Sequence, residues 1–324
     1  MRERRLPILA TIAVFALLYG LGGLWFDHFL SSRVFGNLLT DNAFVIVAGL
    51  GMTFVILSGG IDLSVGSMIG FVGLAMAVMI ADGWHPLAAM AVLLVFGCLL
   101  GAAMGWAIAT YEIQPFIMTL TAMFMLRGLC FVISLDSVPI KHPFVDAFSD
   151  FQIALPGDGW ISGPALLMLA ALVVAVVIAH FTRFGAAVYA VGGDAGSALL
   201  LGVPVRRTIV GVYALNGVYA ALAGVTYALY TSSGQPLAAT GVELDAIASV
   251  VIGGTLLTGG VGLVIGTLFG GLIQGLIQTL IIFDGTLDSW WIRIVIGGLL
   301  FLFIVLQKLI MTSVTSFGAN RATA

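Results

Sequence analysis

Long apolar runs separated by short polar stretches are the main pattern of this sequence. The runs are too long and too continuously apolar for the strands of a membrane barrel, which need roughly ten residues of alternating character. Helices satisfy their own backbone hydrogen bonds in lipid, so the pattern predicts an all-α polytopic membrane protein with about ten transmembrane helices. The predicted segments cover residues 6–26, 42–58, 61–82, 86–110, 114–135, 161–181, 208–231, 244–257, 261–283 and 288–310.

Two polar stretches between these segments are longer than the rest, and both belong to one predicted transmembrane domain over residues 1–324. Residues 136–160 are predicted to be an external loop, and residues 182–207 a cytoplasmic loop. In the second loop DAGSALLLG predicts a short helix with Asp194 near its start, where a carboxylate suits the positive helix end. Such a helix either anchors the loop at the membrane interface or docks a cytoplasmic partner.

Composition and charge support a membrane protein and orient it. The chain is 61% hydrophobic and 8% charged, against about 25% charged residues in soluble domains. The net charge of −3 is too small to indicate a charged partner. With both termini in the cytoplasm, eight basic residues fall inside and two outside, as the positive-inside rule requires. The inside set is Arg2, Arg4, Arg5, Arg183, Arg206, Arg207, Lys308 and Arg321, and the outside pair is Arg33 and Lys141.

The stretch SGGIDLSVGS at residues 58–67 interrupts the apolar pattern with paired glycines, an aspartate and serines. Residues 257–270 repeat residues 57–70 at six of fourteen positions, which suggests an internal duplication. The helix predicted before the first break, residues 43–57, is only about 22 Å long, whereas a bilayer core needs about 30 Å. Short or glycine-broken segments at corresponding positions indicate the central pathway of a transporter, so the predicted fold contains glycine-broken short helices.

Carboxylates beside the breaks are the strongest candidates for function. An ionisable group near the membrane interior is costly to desolvate, so Asp62 either lines or gates a pathway or caps the following helix. Glu243 and Asp245 either cap a helix or face the outer mouth of a pathway, and Arg127 and Arg293 are candidate partners for the carboxylates. We expect Asp62→Leu to abolish uptake and to leave assembly intact. The predicted pathway and gating set is Gly59, Gly60, Asp62, Ser64, Glu243, Asp245, Gly253, Gly254 and Gln274.

Signatures of an enzyme are missing from the sequence. Neither lysine follows a glycine, so the chain has no phosphate-binding loop of the G-x-x-x-x-G-K type, and the four histidines have no metal-ligand spacing. We therefore expect no catalytic residue, no metal and no bound cofactor. An autonomous ion-coupled transporter with Asp62 as its ion site is equally compatible with this absence. A membrane enzyme acting on lipid-linked sugars would need a convergent acid–base set, which is not evident.

Four motifs resemble the membrane-spanning permeases of bacterial sugar ABC importers, the ribose, xylose and galactose permease family. They are SGGIDLSVGS, QPFIMTLTAMFMLRG, TRFGAAVYAVGGD and GVELDAIASVVIGGTLLTGGVGLVIGT, and the resemblance covers residues 6–310. Within the family the chain is most similar to permeases of galactofuranose importers, notably in IQGLIQT and FDGTLDSWW. The resemblance implies a non-catalytic permease that imports a sugar by alternating access.

Partners are also implied by the resemblance. Such permeases form dimers in the inner membrane, and galactofuranose importers pair two different permease chains. A cytoplasmic ATPase dimer uses ATP and Mg²⁺ to drive the permeases, and a periplasmic binding protein delivers the sugar. This chain has GGDAGSALLLG where relatives commonly have an Asn and an alanine-rich stretch. The ATPase-coupling set implied by the resemblance is Gly192, Gly193, Asp194, Ser197, Leu200, Gly202 and Val203.

Overall fold

The computed structural model describes residues 6–286, 290–303 and 305, and its regular structure is almost entirely helical, which confirms the all-α class. The helices in chain order are α1 (Leu6–Trp25), α2 (Ser32–Asp41), α3 (Ala43–Leu57), α4 (Val65–Ala81), α5 (Pro86–Tyr111), α6 (Pro115–Ile133), α7 (Pro143–Ser149), α8 (Gly163–Phe181), α9 (Arg183–Gly193), α10 (Ala195–Leu200), α11 (Val205–Thr231), α12 (Val242–Ile252), α13 (Val264–Asp284) and α14 (Trp290–Phe303).

Helix lengths give fewer full spans than the sequence predicts. In the described part of the chain, α1, α5, α6, α8, α11 and α13 are long and apolar enough to cross a membrane. A seventh span results if α2 and α3, bent by 55° at their junction, count as one. Each of the ten predicted segments coincides with a helix, but α4 and α14 are shorter, and α12 has only 11 residues. The residues beyond 305 that complete the tenth segment lie outside the described residues, as do Arg2, Arg4, Arg5, Lys308 and Arg321.

Four short strands shape the predicted external loop and its neighbour before α12. Strand β1 (Val138–Pro139) pairs antiparallel with β4 (Ser233–Gly234), and β2 (Gln152–Leu155) forms a hairpin with β3 (Gly159–Ser162). The hairpin turns through Gly157 at φ +85°, a conformation that favours glycine. The sequence predicts only an external loop here, because strands this short show no clear alternation of polar and apolar residues.

The centre of the molecule is α3, in which 13 of 15 residues are buried. Its residues are apolar around the whole circumference, which is typical of a helix enclosed by other helices. Helix α3 packs mainly against α8, α11, α12 and α13, and it also contacts α2 and α9. The hydroxyls of Thr53 in α3 and Thr267 in α13 share a buried hydrogen bond of 2.7 Å. The two helices that flank the glycine breaks are thereby held side by side.

Helix α11 crosses α5 at very short range, because glycines face each other at the crossing. A Cβ atom on Gly217 would lie 2.0 Å from the carbonyl oxygen of Gly97, and one on Gly101 would lie 2.2 Å from that of Tyr213. Small residues permit this approach of two backbones in a membrane bundle. The crossing positions Tyr213 and Asn216 of α11 directly in front of the first glycine break.

Candidate functional site: two glycine breaks and the loop beneath them

The first break, residues 58–64, begins with a helix end that requires glycine. Helix α3 stops at Leu57, and Gly59 takes φ +85°. The Gly59 N–H donates to the carbonyl of Ile56, and the Gly60 N–H donates to that of Val55, both at 2.9 Å. This is the Schellman pattern, which satisfies the last carbonyls of a helix through a left-handed residue. The last four carbonyls of α3, those of residues 54–57, are therefore paired where the chain leaves the helical path.

Asp62 is buried in this break, with 1% of its surface exposed. Its Oδ1 accepts the backbone N–H of Ser64 at 2.8 Å and the Ser64 hydroxyl at 2.6 Å. Its Oδ2 accepts Nδ2 of Asn216 in α11 at 2.7 Å. A buried carboxylate persists only when its oxygens are paired, and these three bonds supply the pairing. Asp62 thus ties the first break to α11.

The expectation that Asp62 caps α4 is wrong in its detail. The N-cap position of α4 is Ser64, two residues after Asp62, and the Ser64 side chain makes no capping bond to the helix. Asp62 instead accepts the N–H of the N-cap residue itself, so it shapes the turn that leads into the helix. The Ser64 hydroxyl is directed back to Asp62, which explains why it is not used as a cap.

Two side chains of α11 complete the surroundings of Asp62. The Tyr213 hydroxyl donates to the carbonyl of Ile61 at 3.3 Å. A Cβ on Gly60 would lie 2.5 Å from that hydroxyl, so the second glycine of the break makes room for Tyr213. Asn216 has no exposed surface, and its Oδ1 has no hydrogen-bond partner in the described structure. The site is therefore a closed polar cluster in this conformation.

The second break, residues 253–263, starts in the same way. Helix α12 stops at Ile252, Gly254 takes φ +90°, and the Thr255 N–H donates to the carbonyl of Val250 at 3.1 Å. Gly59 and Gly254 are therefore structural equivalents, although the sequence echo pairs Gly59 with Gly259. After this point the two breaks differ, because the second has no carboxylate.

The two breaks touch each other directly. The Gly260 N–H donates to the carbonyl of Leu57 at 2.9 Å, so the last residue of α3 is bonded to the second break. Gly259 and Gly260 both have positive φ, at +86° and +73°. The Tyr189 hydroxyl in α9 donates to the carbonyl of Gly262 at 2.9 Å. A segment of the predicted cytoplasmic loop therefore reaches the second break.

The acidic pair at the start of α12 faces two arginines. The N-cap position is Gly241, so Glu243 and Asp245 lie within the first turn and do not cap it, contrary to one of the two interpretations above. Glu243 lies within electrostatic range of Arg127, and Asp245 within that of Arg293. Negative charge near a helix N-terminus is favourable. The sequence left these pairings open, and the electrostatic interactions couple Arg127 to Glu243 and Arg293 to Asp245.

Arg127 also holds an irregular segment in place. Its Nη1 donates to the carbonyl of Pro236 at 3.0 Å and to that of Ala238 at 2.7 Å. A Cβ on Gly70 would lie 2.8 Å from the same nitrogen, and one on Gly66 would lie 2.0 Å from Oε2 of Glu243. The glycines at the start of α4 thus admit these charged side chains close to the backbone.

Gln274 and Gly253, which the sequence placed in the pathway set, lie at the contact between α12 and α13. Nε2 of Gln274 donates to the carbonyl of Asp245 and to the Ser249 hydroxyl, both at 3.0 Å. A Cβ on Gly253 would lie 2.5 Å from the carbonyl carbon of Gly266. The glutamine therefore bonds a neighbouring helix.

Residues of the predicted cytoplasmic loop form two helices where the sequence predicted one. The short helix that starts at Asp194 is confirmed as α10, and Asp194 Oδ1 accepts the Ser197 N–H at 2.6 Å. The hydroxyl and the N–H of Ser197 lower the pKa of the Asp194 carboxyl. Leu200 is 91% exposed. The helix ends at Leu200, Gly202 follows the C-cap residue with φ +81°, and the Val203 N–H donates to the carbonyl of Ala198 at 3.0 Å.

Sequence reasoning did not identify Asn216 and Tyr213, which contact the first break, or helix α9, which contacts both breaks. Asn216 stands alone in the apolar stretch VGVYALNGVYAAL, and an isolated amide in a membrane helix is the one signal that could have marked it. Tyr213 and Tyr189 carry no such signal, because tyrosine is common in membrane helices and at their ends.

Comparison with known proteins is decisive for the family. The family model described as "Branched-chain amino acid transport system / permease component" matches residues 34–304, which include both breaks and the loop beneath them. The chain belongs to this family. It is therefore placed among the permease subunits of ABC transporters, which are multi-pass and non-catalytic.

Individual relatives of this family member cover most of its length. The chain is 54% identical over 309 residues to the inner membrane ABC transporter permease protein YjfF of Escherichia coli, which covers 95% of this chain and 93% of the relative. It is 35% identical over 315 residues, with coverage of 95% and 92%, to the fructose import permease protein FruG of Bifidobacterium longum. The ribose import permease protein RbsC of Escherichia coli is 39% identical over 235 residues, 72% of each chain. No solved structure matches the chain.

Proposed function

We propose that the chain is the permease subunit of an ATP-driven importer that moves a monosaccharide across the inner membrane by alternating access. One observation carries the proposal. The two glycine breaks contact each other and α9, and α9 leads directly into the exposed helix α10. The sugar class is supported by the similarity of the chain to fructose and ribose import permeases. Galactofuranose is the proposed sugar, on the resemblance of IQGLIQT and FDGTLDSWW to such importers.

The proposed assembly follows from the family and from the exposed loop. Residues 1–324 act as one permease domain with ten membrane segments and both termini in the cytoplasm. A second, homologous permease completes the pathway, and a periplasmic protein delivers the sugar to the side of residues 136–160. The exposed leucines at the end of α10 dock a cytoplasmic ATPase that binds ATP and Mg²⁺. Because this chain lacks a phosphate-binding loop, it contributes no catalytic residue.

The residues proposed for transport fall into two groups. The first group shapes the breaks and the charged entrance to α12, and it is the pathway and gating set named above. The second group, from Gly192 to Val203, couples the permease to the ATPase. In this proposal Asp62 acts by holding the first break, since its buried carboxylate is fully bonded in this conformation and does not face an open cavity.

Uptake by the reconstituted complex tests the proposal. The permease is purified with its ATPase and second permease, placed in lipid vesicles, and supplied with the binding protein and labelled sugars. We expect import that requires ATP and that is at least about tenfold faster for galactofuranose than for galactopyranose, ribose, xylose or fructose. Equal import of another sugar would correct the substrate, and import driven by an ion gradient without ATP would favour a secondary transporter.

A further inference from the structure

The end of α9 lies against both glycine breaks without any side chain in between. A Cβ on Gly192 would lie 1.7 Å from the carbonyl oxygen of Leu57 and 2.6 Å from the nitrogen of Gly260. These two atoms form the hydrogen bond of 2.9 Å that joins the breaks. Gly192 therefore covers this bond with its own backbone, and alanine at this position does not fit unless the three segments separate.

The same close packing is seen when a Cβ atom is placed on the glycines of the second break. A Cβ on Gly259 would lie 2.9 Å from the carbonyl oxygen of Gly192 and 2.9 Å from the nitrogen of Gly59. A Cβ on Gly260 would lie 2.8 Å from Cα of Gly193. We call the contact of Gly59, Gly192, Gly193, Gly259 and Gly260 the backbone junction. It joins three segments that are far apart in the sequence.

The junction is continuous with the exposed helix α10. Asp194 is at once the C-cap residue of α9, donating its N–H to Ala190, and the N-cap residue of α10. No flexible linker separates Gly193 from the exposed leucine at position 200, which is 91% exposed. One turn before the junction, the Tyr189 hydroxyl holds the carbonyl of Gly262. A displacement of α10 therefore has a short, rigid route to the breaks.

Backbone contact has a mechanical consequence that side-chain contact lacks. Side chains absorb small displacements by changing rotamer, whereas close-packed main chains separate or move together. We propose that Gly192 is a positioning residue that transmits the movement of α10 to both glycine breaks at once. This inference rests on the proposed function, because it assigns a route to the coupling that an ATP-driven importer needs.

The ratio of sugar imported to ATP hydrolysed tests the route. The complete reconstituted transporter carries Gly192→Ala, and import and ATP hydrolysis are measured in the same vesicles. We expect hydrolysis to continue while the ratio falls about tenfold, because the ATPase still docks on α10 but its movement no longer reaches the breaks together. Gly20→Ala is the control, since Gly20 is also helical and a Cβ there meets no atom within 4 Å. Its ratio should equal that of the wild type.

A second variant covers the case in which Gly192→Ala does not assemble. Tyr189→Phe removes only the hydroxyl that reaches Gly262 and adds no atom, so the complex should form normally. We expect a ratio lowered by about twofold to fivefold. A wild-type ratio in an assembled Gly192→Ala complex, or in Tyr189→Phe when the former does not assemble, would overturn the inference. Absence of ATP-dependent import in the wild type would instead refute the proposed function, so the two failures are distinguishable.

Discussion

The two glycine breaks start alike and are then held by different means. Both leave a short helix through a left-handed glycine, Gly59 or Gly254, with the same pair of backbone bonds. The sequence echo pairs residues 200 positions apart, whereas these two glycines are 195 apart, and the second break, residues 253–263, is four residues longer than the first, residues 58–64. The longer break contains Gly259 and Gly260, which contact α9.

This difference separates the supports that hold the two breaks in place. The first break has a buried carboxylate that accepts hydrogen bonds from Ser64 and from Asn216 of α11, a helix packed closely against α5. The second break has no carboxylate and is held by backbone contacts to α9 and by the Tyr189 hydroxyl. The first break therefore has a polar side-chain tie to α11 in addition to its contact with α9, whereas in the described part of the chain the second break depends on α9 alone for its side-chain support.

The largest effect is expected at the polar anchor. Asp62→Leu removes the acceptor of three buried hydrogen bonds and leaves Asn216 Nδ2 and the Ser64 N–H without a partner. We expect uptake to be lost and the free energy of unfolding to fall by about 3 kcal/mol. The loss of stability departs from the sequence-based expectation that assembly stays intact. Thermal unfolding in detergent and vesicle uptake measure the two effects.

Asp62→Asn is the matched control for this prediction. The new amide keeps an oxygen for Ser64, and rotation of the Asn216 amide presents its unpaired Oδ1 to the new NH₂ group. We expect a loss of about 1 kcal/mol or less. If Asp62→Leu imports sugar at the wild-type rate, the first break does not need its anchor.

An intermediate effect on stability is expected from Gly59→Ala and Gly259→Ala, and comparing the two tests which glycines of the breaks correspond. Gly59 and Gly259 have nearly the same φ, +85° and +86°, so alanine is strained by a similar amount at both. A Cβ on Gly59 meets no atom closer than 3.9 Å, whereas one on Gly259 lies 2.9 Å from two backbone atoms. We expect Gly59→Ala to cost about 1 kcal/mol and Gly259→Ala about 1–3 kcal/mol more. Equal unfolding temperatures would support the pairing in the echo instead.

The smallest effect concerns the two tyrosines. Tyr213→Phe and Tyr189→Phe each remove one hydroxyl that donates to a carbonyl of a break, Ile61 or Gly262. We expect each to lower the free energy of unfolding by about 0.5–1.5 kcal/mol. Only Tyr189→Phe should also lower the amount of sugar moved per ATP, since only Tyr189 belongs to the loop helix. Coupling losses of equal size in both variants would erase the distinction between the breaks.

Helices of this fold could be predicted from sequence far better than their contacts. Apolar length located the helices of the ten predicted segments, and the DAGSALLLG pattern located α10, because both signals are local. The shorter helices α2, α7 and α9 were not predicted. The end of α12 was predicted at residue 257 but lies at Ile252, since the run continues apolar past Gly254. The partner of Asp62 could not be predicted, because Asn216 is 154 residues away and no local pattern indicates which helices meet.

That separation has a consequence for how the chain is made. A ribosome adds about 5–20 residues per second, so the 154 residues between Asp62 and Asn216 take roughly 8–30 s to synthesise. Throughout this interval the Asp62 carboxylate stands in or near the membrane without its α11 partner. The nascent first half of the protein is therefore the form most exposed to misinsertion and to quality-control proteases, and arrival of α11 ends that exposure.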